Sequence, residues 1–196
     1  MAEAARDLSG NMQAGEFLRF LKSRPKEERW QLVEGVAIMM NPPRLRHQQI
    51  SLNLRDLLKD ALERQGRREL LVMTEIGVRV RGVSNFLPRP DVVVVPGIAG
   101  DEVYAERFLL VAEVLSPSNS KSLIAQKLQL YKGHPDNFCC LVIDSRRAWM
   151  EIHARAKKWK PVEFDDLDGV FELPEFALRS TLGELYRHTP LDPTAR

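Results

Sequence analysis

Two acidic side chains stand out because each lies in an otherwise apolar stretch of sequence. Asp91 opens the run DVVVV, and Glu113 lies inside FLLVAEVL. Such runs predict buried strands, in which an ionised carboxylate is costly unless it has a partner. Two acids on neighbouring strands could bind one hard cation, because Mg²⁺ takes oxygen ligands and typically uses one or two protein carboxylates. Pairing of each acid with an arginine is the alternative.

A third charged residue, Lys127, lies on the helix predicted to follow Glu113. It is three residues from Ile124 and four from Tyr131, which puts it on or beside the inward stripe of that helix. A lysine in this position can extend its ammonium outward along the apolar surface. Alternatively, it reaches the pocket of Glu113, where it would orient an attacking water and neutralise charge on a pentavalent phosphate.

Helices and strands alternate along the chain that must position these residues. Apolar spacing predicts helices over 12–22, 44–65 and 122–132. Apolar or alternating runs predict strands over 30–40, 70–81, 91–95, 108–115 and 138–144, then a hairpin of 147–156 and 158–163. Loops are predicted over 82–89 and 116–120. This order indicates a mixed α/β fold with a mostly buried central sheet flanked by helices.

Length and composition are typical of a globular protein. The 196 residues suit one domain, so we expect a flexible polar leader over 1–11 and one domain over 12–196. Apolar residues make up 44% and charged residues 29% of the chain, which argues against global disorder. Glu3, Arg6 and Asp7 stand where a signal peptide would need an apolar stretch, so we expect a cytoplasmic protein.

The net charge and the cysteine content make some classes of function less plausible. The net charge of +2 produces no strong global field, so a polyanion would have to bind a local patch. Cys139 and Cys140 are adjacent, they cannot form an ordinary long-loop disulfide, and no Cys/His spacing resembles a zinc site. A thiol enzyme is an alternative that their apolar strand disfavours, because buried cysteines are usually inert.

An ordered set of sequence fragments carries a family resemblance across most of the chain, roughly residues 28–155. The fragments are WQLVEGVAIMMNPPRLRHQQI, LPRPDVVVV, LVAEVLSPSN, QKLQLY and LVID. In this set the chain resembles the Uma2 (DUF820) family, a branch of the PD-(D/E)xK nuclease superfamily. The resemblance implies a restriction-endonuclease-like core and Mg²⁺-dependent hydrolysis of phosphodiester bonds in DNA, with Mn²⁺ as a possible substitute.

The resemblance also implies roles for three residues. Asp91 and Glu113 would be the metal ligands, joined by a backbone carbonyl near Val114, and Lys127 would assist the attacking water. Superfamily members normally carry that lysine two residues after the second acid, where this chain has Leu115. In Uma2-like sequences the lysine lies on the following helix, and Lys127 matches that place.

Auxiliary positions match the family less well. His47 matches a family histidine early in the second helix, and it could be structural or face the mouth of the site. Family members commonly have acids where this chain has Gln31, Val36 and Leu123, and Glu34 is the nearest surviving acid to Gln31. These departures favour an alternative function, a catalytically inactive nuclease-fold protein with a binding or structural role.

The expected partners are nucleic acid, with DNA favoured over RNA, and a second copy of the chain. Restriction-type folds often pair to cut two strands, so we expect a homodimer without a membrane association. Local arginines would bind the substrate phosphates, and the candidates are Arg44, Arg46, Arg79, Arg81 and Arg89.

Overall fold

The computed structural model describes residues 11–116, 120–192 and 194, together with the backbone of Arg6–Asp7. The leader predicted over 1–11 therefore lies mostly outside the described residues, as do positions 117–119 of the loop predicted over 116–120. No helix of the described part is long and apolar enough to span a bilayer.

Strands outnumber helices along the described chain. The helices are α1 (Ala14–Lys22), α2 (Leu45–Arg64), α3 (Lys121–Gly133) and the short α4 (Leu182–Leu185). The strands are β1 (Arg6–Asp7), β2 (Arg29–Val33), β3 (Val36–Met40), β4 (Leu70–Thr74), β5 (Gly77–Val78), β6 (Val92–Pro96), β7 (Tyr104–Ala105), β8 (Leu110–Leu115), β9 (Cys139–Asp144), β10 (Met150–Ala154), β11 (Pro161–Phe164), β12 (Val170–Leu173) and β13 (Leu178–Thr181).

A central sheet contains six of these strands in the spatial order β11-β10-β9-β8-β6-β4. Neighbouring strands are antiparallel except for β8 and β9, which run parallel. A parallel pair needs a long crossover connection, which is usually a helix. Here α3 provides that connection, and it therefore follows directly from the strand that carries Glu113.

Helices cover both faces of the central sheet. On one face, α2 buries Ile50 and Leu54 in a core that includes Val92 of β6. On the other face, Tyr131 of α3 packs in a core that includes Val93. Strands covered on both sides are apolar throughout rather than alternating, which explains the continuous runs in β6, β8 and β9. The predicted mixed α/β fold with a buried, helix-flanked sheet is confirmed.

The N-terminal part forms a second, smaller sheet in the order β1-β3-β2. Its hairpin turns at Glu34 and Gly35, with φ of 48° and 75°, the positive values that a two-residue turn of this kind requires. The stretch predicted over 30–40 with a turn at Gly35 is therefore a hairpin. Phe17 of α1 packs against it, in one cluster with Trp30.

The strand predicted over 70–81 is interrupted in the structure. β4 ends at Thr74, and Glu75 adopts a left-handed conformation with φ of 55° that takes the chain out of the central sheet. β5 then pairs in parallel with β7. The alternating pattern was misleading because Val78 and Val80 are buried in the α3-side core without belonging to one continuous strand.

The C-terminal part, for which the sequence predicts only short pieces, completes the α2-side core. β12 and β13 form an antiparallel hairpin. Phe171, Leu178, Leu182 and Tyr186 from this region are buried in the same cluster as the inward stripe of α2. α2 is thus enclosed between the central sheet and this C-terminal layer.

Candidate active site

Asp91 and Glu113 lie on neighbouring segments of chain at one end of the central sheet. Glu113 is in β8, and Asp91 immediately precedes β6, the antiparallel neighbour of β8. The ladder pairs Val92 with Ala112, and the Asp91 N–H donates to the Ala112 carbonyl at 3.0 Å. The two carboxylates extend toward different helices, because Asp91 contacts His47 of α2 whereas Glu113 contacts Lys127 of α3, and these helices cover opposite faces of the sheet.

The carboxylate of Asp91 is bonded on one side and lies near a histidine on the other. Its Oδ2 accepts the Val114 N–H at 2.6 Å, and its Oδ1 lies 3.4 Å from Nε2 of His47 in α2. Burial by itself would lower the pKa of His47, but the contact with Asp91 and its charge, helped by the Val114 backbone, raise that pKa above its usual value. The side chains of Asp91 and His47 are each 13% exposed.

Glu113 is the centre of a buried cluster with two residues of α3. Lys127 Nζ donates to both carboxylate oxygens, at 2.8 Å to Oε1 and 2.7 Å to Oε2. The Tyr131 hydroxyl also donates to Oε1, at 2.7 Å. All three residues are buried. Lys127 therefore does not extend outward, because its side chain is 2% exposed and is held by Glu113.

The amphipathic pattern of α3 explains this placement. Ile124, Lys127 and Tyr131 recur at intervals of three and four residues, so they share the face that packs on the sheet. Ser120 caps the helix by accepting the Leu123 N–H at 3.2 Å. Because α3 follows β8 directly and folds back over it, its inward residues reach the side chain of Glu113.

Burial raises the pKa values of Glu113 and Tyr131. Burial, together with the charge of Asp91, raises the pKa of Glu113, and the ammonium of Lys127 and the hydroxyl of Tyr131 only partly oppose that rise. Burial and the neighbouring charge of Glu113 raise the pKa of Tyr131 well above its usual value. The phenol therefore remains a hydrogen-bond donor to Glu113 at neutral pH.

A cavity of about 220 Å³ opens beside Asp91. Its lining residues come from α2, from the end of β4 and from the start of β6, and they are His47, Gln48, Ser51, Leu52, Thr74, Glu75 and Asp91. Thr74 belongs here because the ladder pairs it with Val92, next to Asp91. The sequence patterns did not point to the other lining residues, which are Gln48, Ser51, Leu52, Thr74 and Glu75. Of these, only Ser51 could have been predicted from the sequence, because it lies one helical turn after His47 and therefore on the same side of the helix.

The two auxiliary residues of the N-terminal hairpin lie outside this cavity lining. Gln31 is buried in β2, and its Oε1 has no hydrogen-bond partner among the described residues. It shares a strand face with Val33, which packs in the same cluster as Tyr131. Glu34 is exposed in the hairpin turn and accepts a hydrogen bond from Gln126 at 2.7 Å.

The five arginines predicted to bind phosphates occupy different surroundings. Arg44 and Arg46 stand at the start of α2, just before cavity residues His47 and Gln48. Arg89 donates to the Glu75 carbonyl at 3.1 Å and stacks on Tyr104.

The remaining two arginines lie further along the chain from β5. Arg79 faces Glu106 at 3.7 Å, and Arg81 is exposed in a turn. None of the five arginines lines the cavity. Arg44 and Arg46 lie at the start of α2, and this helix forms one wall of the cavity.

Oxygen donors at this site suit a divalent cation such as Mg²⁺, which typically binds one or two protein carboxylates plus water. Both oxygens of Glu113 accept bonds from Lys127, whereas Asp91 lines the cavity. Among the residues that the structure describes, no three His, Cys, Asp or Glu side chains form a ready-made metal cluster. Asp91 is therefore the acid whose carboxylate faces the cavity, where water and substrate could complete the coordination of a cation.

The adjacent cysteines lie in β9 as free, buried thiols. Burial raises the pKa of Cys140 to about 12 and that of Cys139 well above its usual value. Since the thiolate is the nucleophilic form, neither residue is suited to nucleophilic catalysis at neutral pH.

Comparison with known proteins identifies the family. The sequence profile of Uma2, described as "Putative restriction endonuclease", matches residues 14–182. The chain belongs to the Uma2 family. A similar fold occurs in the crystal structure of a putative nuclease belonging to DUF820 from Anabaena variabilis ATCC 29413, with a TM-score of 0.71 and 20% sequence identity over 89% of this chain and 97% of that one. A search of curated proteins found no match.

The resemblance inferred from the sequence fragments is thus confirmed. Uma2 membership supports a nuclease, and so a hydrolase acting on nucleic acid, as the class of this protein. The structural neighbour has the same nuclease fold. The roles predicted for Asp91, Glu113 and Lys127 stay predictions.

Proposed function

We propose that this protein is a divalent-metal-dependent endonuclease that hydrolyses phosphodiester bonds of DNA. The observation that carries the proposal is the convergence of Asp91, Glu113 and Lys127 at one end of the sheet, beside an open cavity. A fold that needed only stability would not benefit from two carboxylates so near each other that the charge of Asp91 raises the pKa of Glu113, because their repulsion has to be offset. Restriction-endonuclease-type relatives generally use divalent metals, and Mg²⁺ or Mn²⁺ fits these donors.

Each residue has a distinct task in this proposal. Asp91 and Glu113 hold the cation, which when bound lowers the pKa of a water molecule and offsets charge on the phosphate. The Val114 N–H fixes one oxygen of Asp91, so the other remains directed toward His47 and the cavity. Lys127 offers a preorganised positive charge in a site shielded from solvent, where such a charge stabilises a developing anion most strongly.

Substrate phosphates would approach along the start of α2. Arg44 is exposed at its N-terminal end, Arg46 is partly exposed, and neither forms an ion pair with a described residue. Both are therefore free to bind phosphate near the cavity. Arg79, Arg81 and Arg89 are secondary candidates. A cytoplasmic location accords with the two free cysteines, since disulfides are rare in that compartment.

The test compares Asp91→Asn with the parent protein in two assays. Asn keeps the shape of the side chain but removes its charge, so both Mn²⁺ affinity measured by calorimetry and plasmid nicking should fall. Asp56→Asn is the matched control, because Asp56 is an exposed aspartate of α2 that pairs with Arg55 outside the cavity. Unchanged nicking by Asp91→Asn would overturn the proposal.

A catalytically inactive protein with a binding role is the second candidate. Glu113 already has three hydrogen bonds from Lys127 and Tyr131, and Gln31 stands where relatives commonly have an acid. In that case the parent protein would bind Mn²⁺ or DNA, but it would not nick plasmid in the presence of any divalent metal. The same calorimetry and nicking assays therefore separate the two candidates.

A further inference from the structure

The two edge strands of the central sheet are β4 and β11. They differ in how well their residues prevent pairing with a further strand. β11 begins with Pro161, follows Lys160 and contains Glu163, and such residues discourage pairing with another strand. β4, with the sequence LLVMT, contains no charge and no proline. An apolar, unguarded edge is a template for addition of a further strand. We propose that a second copy of this chain pairs with β4 through its own β4, antiparallel about a twofold axis at Val72.

Backbone directions in β4 fit this pairing. The Gly97 N–H donates to the Glu69 carbonyl at 2.9 Å, and the Glu75 N–H donates to the Asp91 carbonyl at 3.2 Å. Because hydrogen-bonded positions alternate along an antiparallel ladder, the odd-numbered residues of β4 face β6. The polar backbone groups of Val72 and Thr74 then face the free side, and no described residue outside the ladder bonds them.

A twofold axis at Val72 uses these outward groups in both copies. Val72 exchanges two backbone hydrogen bonds with Val72 of the second copy. The Thr74 N–H of each copy meets the Leu70 carbonyl of the other, which adds two more. The Leu70 N–H takes no part, because it already donates to Arg67 within its own chain. The result is one continuous sheet across both copies.

Side chains beside this edge offer an apolar surface for the second copy. Leu71 and Met73 are only partly buried and, with Val95, Pro96 and Ile98, line an open concavity of about 440 Å³. Ile98 is 96% exposed. Pairing about Val72 sets Leu71 opposite Met73 of the second copy on this same face. The two copies would therefore cover apolar surface that is exposed on each alone.

The charges that flank β4 are compatible with this register. Glu69 would lie across from Glu75 of the second copy, and like charges in that position are destabilising. Each acid already has an arginine in its own chain, however, because Arg67 pairs with Glu69 at 2.5 Å and Arg29 pairs with Glu75. The arginine in each chain thus offsets the repulsion between Glu69 and Glu75 of the second copy.

Cysteine cross-linking tests both the edge and the register. In the proposed pairing, position 71 and position 73 of the second copy form a non-hydrogen-bonded pair with Cα atoms about 4.5 Å apart, within disulfide range. The double variant Leu71→Cys/Met73→Cys should form a covalent dimer under mild oxidation. Leu71→Cys and Met73→Cys alone are matched controls that should remain uncross-linked. The native Cys139 and Cys140 are buried and do not compete.

Sedimentation tests the noncovalent dimer. The parent protein should sediment at twice 22.4 kDa, and Val72→Pro, which removes an outward N–H without touching the ladder to β6, should sediment as one chain. Val72→Thr keeps the N–H and the branched shape and should remain dimeric. A monomeric parent, a dimeric Val72→Pro, or cross-linking of the single cysteine variants as efficient as that of the double variant would overturn the proposal. If Val72→Pro does not fold, the cysteine variants decide.

Discussion

The Glu113–Lys127 ion pair is the most consequential contact at the residue scale. Both side chains are almost fully buried, and the ammonium contacts both carboxylate oxygens. Removing one partner of a buried pair is strongly destabilising, because it leaves an uncompensated charge in a medium that solvates it poorly. The pair therefore contributes to the fold as well as to the chemistry proposed for it, and a variant of either residue affects both.

Lys127→Met separates these contributions when it is combined with a second substitution. The single variant leaves Glu113 buried without its cation and should lower the free energy of unfolding by about 3–5 kcal/mol. Lys127→Met/Glu113→Gln removes both charges and should recover much of that loss, as measured by urea unfolding. Both variants should fail to nick plasmid. A single variant as stable as the parent would contradict the ion pair.

His47 makes stability depend on pH. Its pKa is raised in the folded state, so the folded protein holds the proton more tightly than the unfolded chain does. The stabilisation is fully present below the unfolded pKa of about 6.5 and is lost as the pH rises through the folded pKa. His47→Gln should therefore lower the free energy of unfolding more at about pH 5 than at about pH 9.

A matched histidine variant controls for the general effect of pH. His188 is exposed and makes no ion pair with a carboxylate among the described side chains. His47→Gln should change the pH profile of unfolding more than His188→Gln does. If His47→Gln and the parent had the same free energy of unfolding at both pH values, the contact between His47 and Asp91 would not contribute to stability.

At the element scale, α2 both anchors the core and carries one wall of the cavity. Its inward stripe includes Ile50, Leu54 and Leu58, all fully buried against the central sheet and the C-terminal layer. His47, Gln48 and Ser51 extend from the first turns of the same helix toward the cavity. Packing of the stripe therefore determines where these cavity residues lie.

Leu54→Ala tests this dependence. Removing a fully buried leucine side chain should cost about 2–5 kcal/mol in the free energy of unfolding, through lost burial and the cavity that remains. Leu45→Ala is the matched control on the same helix, because Leu45 is 86% exposed and its loss should stay within about 0.5 kcal/mol. Thermal or urea unfolding measures both. Equal stabilities of the two variants would contradict the burial of this stripe.

At the scale of the whole molecule, the net charge of +2 gives little general attraction to nucleic acid. Binding must then depend on a few local cations, and the affinity should fall steeply with salt, because release of counterions from the phosphates supplies most of it. Arg46 directly precedes the cavity residue His47, and Arg44 is the residue at the start of the same helix. They should account for a measurable part of the salt dependence.

Arg44→Gln/Arg46→Gln should weaken binding of a duplex oligonucleotide and reduce the slope of log affinity against log salt by about 2, since each phosphate contact contributes about 0.9. Fluorescence anisotropy in EDTA measures the slope without cleavage. Arg19→Gln, which alters an exposed arginine of α1, is the control and should leave the slope unchanged. An unaltered slope in the double variant would exclude these arginines from the interface.

Local sequence signals determined most of the elements and singled out three candidate site residues. The apolar stripe predicted over 44–65 appears as α2, and the apolar run predicted over 108–115 contains β8. Periodicity succeeds in such cases because it reports burial of a continuous face, which is a local property of the chain. Asp91 and Glu113 were conspicuous because a charge inside an apolar run is costly, and Lys127 because it lies beside the inward stripe of its helix.

Only the tertiary structure decided how these residues meet. The ladder between β6 and β8 brings Asp91 beside the strand that carries Glu113, and the ladder between β4 and β6 brings Thr74 and Glu75 to the cavity. Strand order and register depend on contacts between residues distant in the chain, which no local pattern reports. The hydrogen bonds that Lys127 and Tyr131 give to Glu113 likewise arise only when α3 folds back over β8.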